Sequence, residues 1–378
     1  MSTGINMTQV KRRNRSLVLK YLNRVGPVSR KDMADAVGLT SASVTNICNE
    51  LISEGLIQEV GVDDETKGVG RRKVFIDIDY DSRYVIAFNI EADLSTVALC
   101  NLAGDVVQKK TVETDKSLSP EDFLKKLSSI AKKIVSGQSD YLKSKISAVS
   151  VGIVGPIDKA TGVSWHAYGI WENAVEVKDI LEKALKLPCY VENNVNAITK
   201  ATMLLGIGRK YDNLHIIKWG PGVGSTIVIN GEIYEGINGR AAELGHVIIE
   251  KDGLRCSCGK RGCLETRVSI NALNKIAPFE KQDFYKAYIN SKAEKRKAFD
   301  DAIDIFARSI VNTITLFAPE HVILSGYLFM EDGIRKRVIE TCEKYAKTLE
   351  KSTIIPNNIM SCEDYIGPVG AYLYEIIK

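Results

Sequence analysis

One histidine and three cysteines are the residues of this chain best equipped for chemistry. His246, Cys256, Cys258 and Cys263 follow the spacing H-x9-C-x-C-x4-C, interspersed with Gly253, Gly259 and Gly262. One imidazole and three thiolates make a complete tetrahedral donor set for Zn2+. No coordination position is left for a substrate, so the expected metal is structural rather than catalytic. The glycines allow the backbone to wrap tightly around an ion. The other five of the eight cysteines (Cys48, Cys100, Cys189, Cys342, Cys362) are scattered and read as small buried hydrophobes. In a reducing compartment, a cysteine cluster of this kind points to a metal rather than to disulfides.

The elements that must position such a knot belong to a chain of 378 residues, 45% hydrophobic and 26% charged, which predicts a soluble protein of two or three domains. No stretch approaches the roughly 20 apolar residues of a membrane helix. The opening MSTGINMTQVKRRNR has basic residues but no apolar run behind them, so a cytoplasmic protein with no membrane partner is expected. The net charge of +4 is unevenly placed: residues 1–76 hold 12 Lys+Arg against 8 Asp+Glu, and the remainder is balanced at 39 and 39. A basic small domain on a neutral large one suggests a polyanion partner for the former.

That small domain reads as a winged helix-turn-helix over residues 1–78. Val10, Leu17, Val18, Tyr21 and Leu22 lie at helical spacing and Gly26-Pro27 stops the helix. Ser29 caps a short second helix that ends at Gly38, and Thr40 caps a third running to about Glu54. Two short helices around a glycine turn form a helix-turn-helix whose second member enters a major groove. Its exposed positions would be Ser41, Ser43, Thr45, Asn46 and Asn49, short hydrogen-bonding side chains suited to base edges. Arg15, with Lys11, Arg12 and Arg13, lies within reach of phosphates. Strands over 56–60 and 73–78 flank a polar loop, Gly61 to Gly70, with Arg71 and Arg72 at its base. An arginine pair beside glycine suits a minor groove, although a solvated basic turn explains it as well.

From residue 83 the pattern alternates strands with helices, which predicts an α/β body. Strands are expected at 84–90, 94–101, 148–154, 187–192, 215–219, 225–230 and 321–324. Helices are expected at 120–137, after Asn193-Asn194, at 296–317 and after Gly367-Pro368.

Several segments together resemble the repressor branch of the ROK family (repressors, open reading frames and sugar kinases) over nearly the whole chain. They are Asn14 to Leu19, Pro27 to Arg30, Gly38-Leu39-Thr40, Leu51 to Ile57, Gly70-Arg71-Arg72, Gly245-His246, and the run from Cys256-Ser257-Cys258 to Cys263-Leu264-Glu265. The resemblance implies a two-lobed actin-like, hexokinase-like fold behind the winged head. It would place an N-terminal α/β lobe at 79–192 with 366–378, and a C-terminal lobe holding zinc and sugar pocket at 193–365. It implies that Glu243, Glu265 and Asn193 bond sugar hydroxyls, and that His246 serves twice, with one ring nitrogen on zinc and the other toward the sugar. Where family kinases carry the aspartate base, this chain has Asn194, which would remain as a sugar-binding residue only. An amide cannot take the hydroxyl proton at neutral pH. Where kinases carry Asp-x-Gly-Gly-Thr, Asn89 to Thr96 contains no glycine, while a second loop, Gly220-Pro221-Gly222-Val223-Gly224-Ser225, survives. The implied activity is a repressor of carbohydrate genes, without catalytic residues, acting on double-stranded operator DNA as a homodimer or dimer of dimers. Its effector would be a monosaccharide of the xylose, glucose or N-acetylglucosamine type. A kinase with retained ATP-dependent activity and a regulator gated by a protein partner are the rival readings.

Overall fold

The computed structural model describes residues 6–62, 73–279, 283–346 and 353–378. At the N-terminus, α1 (Met7–Val25) starts at Asn6, whose side chain accepts from the Gln9 amide while the Gln9 side chain accepts from the Asn6 amide. A two-residue strand β1 (Val28–Ser29) leads into α2 (Arg30–Val37), and α3 (Ser41–Ser53) follows a turn at Gly38, whose φ of 68° favours glycine. Ser29 and Thr40 cap α2 and α3, as the sequence predicts. β2 (Ile57–Val62) and β3 (Val74–Ile78) complete an antiparallel sheet in the order β1-β3-β2. The loop expected to reach into a groove, including Arg71 and Arg72, lies outside the described residues; only its flanking strands are seen.

The body opens with β4 (Tyr84–Ile90), β5 (Leu94–Asn101) and β6 (Val106–Glu113), followed by α4 (Pro120–Ser136), α5 (Asp140–Lys145) and β7 (Ile146–Ile153). A small hairpin, β8 (Ile157–Asp158) and β9 (Val163–Ser164), precedes α6 (Val177–Leu185) and β10 (Cys189–Asn193). The second half runs α7 (Asn194–Leu204), β11 (Leu214–Trp219), β12 (Val223–Ile229) and β13 (Glu232–Ile233), then α8 (Glu265–Val268), α9 (Ile270–Ile276), α10 (Phe284–Asn290) and α11 (Ala293–Phe317). It closes with β14 (His321–Ser325), α12 (Asp332–Tyr345), β15 (Ile354–Pro356) and α13 (Ile366–Ile377). The last helix starts ahead of Gly367-Pro368 rather than after it. Proline fits there because first-turn amides have no helical acceptor.

The two halves repeat one topology. The first sheet has the order β10-β7-β4-β5-β6 and the second β13-β12-β11-β14-β15. In each, three consecutive strands pair antiparallel and two later ones add in parallel beside the first of the three. α4 and α6 cover one face of the first sheet through Phe123, Leu127 and Leu181. α11 and α12 cover the second, where Trp219 is buried among Phe284, Phe306 and Phe329. The helices α7 and α13 lie against each other, with α13 on β4 and β7 and α7 reaching β12. One apolar cluster runs from Leu19 and Leu22 of α1 through Val85 and Leu102 to Tyr372 and Leu373 of α13, so the head shares a core with the body.

Candidate functional site

The duplication sets two equivalent hairpin turns across a cleft, at the ends of β4 and of β11. A cavity of about 370 Å3 lies between them. Open α/β folds place ligands at such carboxyl ends. Asn193, Asn194, Glu243, His246 and Glu265, widely separated in the chain, all line it. Asn193 ends β10, where its side-chain oxygen caps α7 by accepting from the Val195 and Asn196 amides. Its Nδ2 donates to the Gly155 carbonyl at 2.9 Å, which fixes the amide at the cleft wall.

The surviving glycine loop has an unexpected partner. The Val223 amide donates to Glu265 Oε2 at 3.0 Å, and a Cβ on Gly222 would come within 2.5 Å of the same oxygen. Glycine is therefore needed here so that a carboxylate can approach the loop. Burial raises the Glu265 carboxyl above its ordinary value, opposed by the Val223 bond and assisted by Glu243. Burial also raises Glu243, against Lys260 and Arg240. Two carboxyls facing one cavity, Glu265 half-buried and Glu243 open to solvent, suit vicinal hydroxyl donors.

His246 joins this wall to the cysteine knot. Its Nδ1 lies 3.5 Å from Cys256 Sγ, while its Nε2 points to Glu243 Oε2 at 4.0 Å. Cys258 and Cys263 sulfurs are 3.6 Å apart, and the four donor atoms all fall within 4.8 Å of one another. A tetrahedral zinc with bonds of about 2.0–2.3 Å requires donor separations of roughly 3.5–3.8 Å, so this set fits one. The knot closes through the Cys256 amide donating to the Lys260 carbonyl, and Gly262, with φ 73°, passes so near the Glu250 carbonyl that a Cβ would sit 1.8 Å from it.

Four features were not foreseen in the sequence. Tyr168 lines the cavity, its ring centroid 5.9 Å from that of His246. Glu91, on the β4–β5 turn, forms an ion pair across the cleft with Lys218 of β11, and the Asn194 amide donates to it at 3.4 Å. Burial, the largest influence on Glu91, would push its carboxyl up, but Lys218 and Asn194 outweigh it and hold the group below the ordinary range. Lys159 lines the cavity and contacts both Glu192 and Glu235. Glu192, beside Asn193, is buried against Lys200. No motif marks the Glu91–Lys218 and Lys159 pairs, because their partners lie far away in the chain.

In the head, Ser41, Thr45, Asn46 and Asn49 form an exposed face of α3 with Ser43 partly exposed, while Val44, Ile47, Cys48 and Leu51 are buried. Arg15 differs from expectation: its guanidinium makes a bidentate contact with Glu54 at 2.6 and 2.5 Å, so a phosphate would have to compete with that carboxylate. Lys11 pairs with Glu50, and Arg12 and Arg13 are exposed.

A winged head carried on a duplicated actin-like, hexokinase-like body with a polar interlobe cleft defines the class of this protein. The ROK family model matches residues 85–374, and a winged helix-turn-helix DNA-binding model matches residues 11–58. The chain belongs to the ROK family. It is 28% identical over 352 residues to the xylose repressor of Caldicellulosiruptor bescii, covering 86% of this chain and 87% of that one. It is 26% identical over 382 residues to the DNA-binding transcriptional dual regulator NagC of Escherichia coli K12, covering 97% and 93%. A solved ROK family transcriptional regulator, described as a homolog of the E. coli MLC protein, superposes with a TM-score of 0.80 at 22% identity over 97% of both chains. Among the described residues no helix is long and apolar enough to cross a membrane.

Proposed function

We propose that this chain is a sugar-responsive transcriptional repressor of carbohydrate genes: a DNA-binding head whose kinase-like body binds a monosaccharide without phosphorylating it. The names of the xylose repressor and NagC relatives, whose matches span head and body, support the regulator class. The observation that carries the rest is the make-up of the cleft, with Asn193, Glu243, His246 and Glu265 on one cavity and the Glu91–Lys218 pair crossing it. The first four would bond sugar hydroxyls. The ion pair lies on the turn where a kinase of this fold would need bare backbone for phosphates. Asn194 offers no proton acceptor. Glu91, the carboxylate beside it, is engaged by Lys218 and held ionised below the ordinary range, which makes it a weak base.

His246, Cys256, Cys258 and Cys263 would hold a structural zinc, which supplies a rigid anchor for the pocket wall when bound. The Nδ1 side of His246 faces the thiols and leaves Nε2 for the ligand. Ser41, Ser43, Thr45, Asn46 and Asn49 would read bases, and Arg15, Arg71 and Arg72 would contact the backbone or a groove. The working unit is a cytoplasmic homodimer or dimer of dimers on a pseudo-palindromic operator. Its divisions are a head at 1–78, a lobe at 79–192 with 366–378, and a lobe at 193–365. The effector must bind the DNA-incompetent state more tightly to act as an inducer.

The test is calorimetric titration with D-xylose, D-glucose and N-acetylglucosamine, with and without a duplex that the protein itself selects from random DNA. Binding of one sugar that changes duplex affinity, with no sugar-dependent ATP consumption, is the expected result. Phosphorylated sugar at a turnover of about 1 per second or more, the usual enzymatic range, overturns the reading.

A further inference from the structure

The charges left over from the site form a connected chain that ends on the head. Lys159, in the hairpin between β8 and β9, puts its amine 2.9 Å from Glu192 Oε2 and also pairs with Glu235. Glu192 Oε2 lies 2.8 Å from the amine of Lys200 on α7, and both residues are only 4% exposed. That amine sits 3.6 Å from Glu375 and 4.5 Å over the ring of Tyr374, both on α13. The Tyr374 hydroxyl donates at 2.5 Å to Glu232 of β13, whose other oxygen receives Lys20 of α1 at 2.5 Å.

We propose that this chain, from Lys159 through Glu192, Lys200, Tyr374 and Glu232 to Lys20, couples occupancy of the sugar cleft to the seating of α1 on the body. The inference rests on the sugar-regulator reading and adds its route.

Three physical features support it. First, the relay passes from one half of the body to the other twice, once at the cleft and once away from it. Lys159 joins Glu192 of the first sheet to Glu235 beyond the second, and Tyr374, on the helix packed against the first sheet, bonds Glu232 of the second. A change of interlobe angle must alter both links. Second, Glu232 and Glu235 begin the segment that ends in the cavity residues Glu243 and His246, so a ligand that moves one end of this stretch moves the other. Third, the Glu192–Lys200 pair is too deeply buried to lose one partner cheaply, so it shifts as a unit rather than dissolving. α1 is tied to the same lobe again by Arg24 on Asp212 at 3.0 Å and by Arg209 donating to the Asn23 carbonyl. The head thus rests on the second half through these polar links and on the first through Val85 and Leu102 of the shared apolar cluster, and a ligand seated between the halves would bear on both.

Tyr374→Phe and Glu232→Gln each cut the chain near the head. The first keeps the ring over Lys200, and neither touches the cavity. The measured quantity is the coupling factor, the ratio of duplex affinities with and without sugar. The duplex is the one selected from random DNA, and the sugars are D-xylose, D-glucose and N-acetylglucosamine. Coupling between sites commonly spans roughly 5- to 150-fold. The expected result is a coupling factor that falls at least about threefold toward unity in both variants, with sugar affinity and melting temperature unchanged. Hydrogen exchange of the α1 amides should respond to sugar in the wild type and lose that response in the variants. Wild-type coupling retained in both variants overturns the relay and leaves the regulator intact. A wild-type protein that binds none of these sugars, or binds one with no effect on DNA, overturns both.

Discussion

The ion pair between Glu91 and Lys218 acts as a strut between the two halves of the cleft wall. Both side chains are nearly buried, at 14% and 11% exposed, so each charge depends on the other. Removing one partner from such a pair usually costs about 3–5 kcal/mol, since the survivor is left desolvated and unpaired. Lys218→Met should therefore lower the urea unfolding free energy by about 3 kcal/mol. The double variant with Glu91→Gln should cost clearly less than the sum of the two single changes. Additive costs would show that the pair is not coupled. The cysteine knot yields a second residue-scale expectation. Cys258→Ser should abolish stoichiometric zinc in freshly purified protein, read by elemental analysis, and should weaken sugar binding by about tenfold through His246, which sits in both places. Full zinc content in that variant would show that Cys258 is not a ligand.

At the scale of elements, β11 carries a charge-sensitive joint. His215 is 1% exposed, and its Nδ1 lies 3.0 Å from Thr313 Oγ1 of α11, whose hydroxyl proton goes to the Ile310 carbonyl. Its Nε2 has no hydrogen-bond partner, and burial drops the imidazole from 6.5 to about 4. A depressed histidine is neutral when folded and protonates more readily when unfolded. The stability it contributes is complete above pH 6.5 and is lost as pH falls toward 4. Across that window the wild type should lose on the order of 3 kcal/mol more than His215→Leu, measured by urea unfolding at successive pH values. Parallel curves would show that the imidazole is not the group responsible. The elements that were readable in the chain are those with local causes. Caps at Ser29 and Thr40, the apolar runs of β4 and β5, and the turn at Gly38 all lie within a few residues of what they determine. β6 was not foreseen because nearly all its residues are exposed, which leaves no apolar alternation, and β1 is only two residues long. The metal knot could be read from spacing because its donors are nearly contiguous. Lys218, Glu91 and Lys159 could not, because their partners come from other sheets.

For the whole molecule, the duplication of two five-stranded sheets was hidden in the sequence, since the halves share strand order but differ in loops and in their turn glycines. The head likewise reads as a separate basic module, yet its fold shows no apolar boundary with the body. Leu19 and Leu22 of α1 belong to the same buried cluster as Leu102, Leu204 and Leu373. The Tyr80 hydroxyl donates to Asn23, Lys20 pairs with Glu232, and Arg24 pairs with Asp212. Domains joined by a flexible linker unfold independently, whereas domains that share a core expose each other's apolar surface on unfolding and so melt together. Calorimetry of the full chain should therefore show the head and the sheet to which α13 is docked unfolding in one transition. A fragment of residues 1–78 alone should melt well below the full chain, because the α1 face that meets the body is left in water. Two well-separated transitions, with the lower one matching the isolated head, would mean that the shared core contributes little. The winged module would then be a passenger that interlobe movement could not steer.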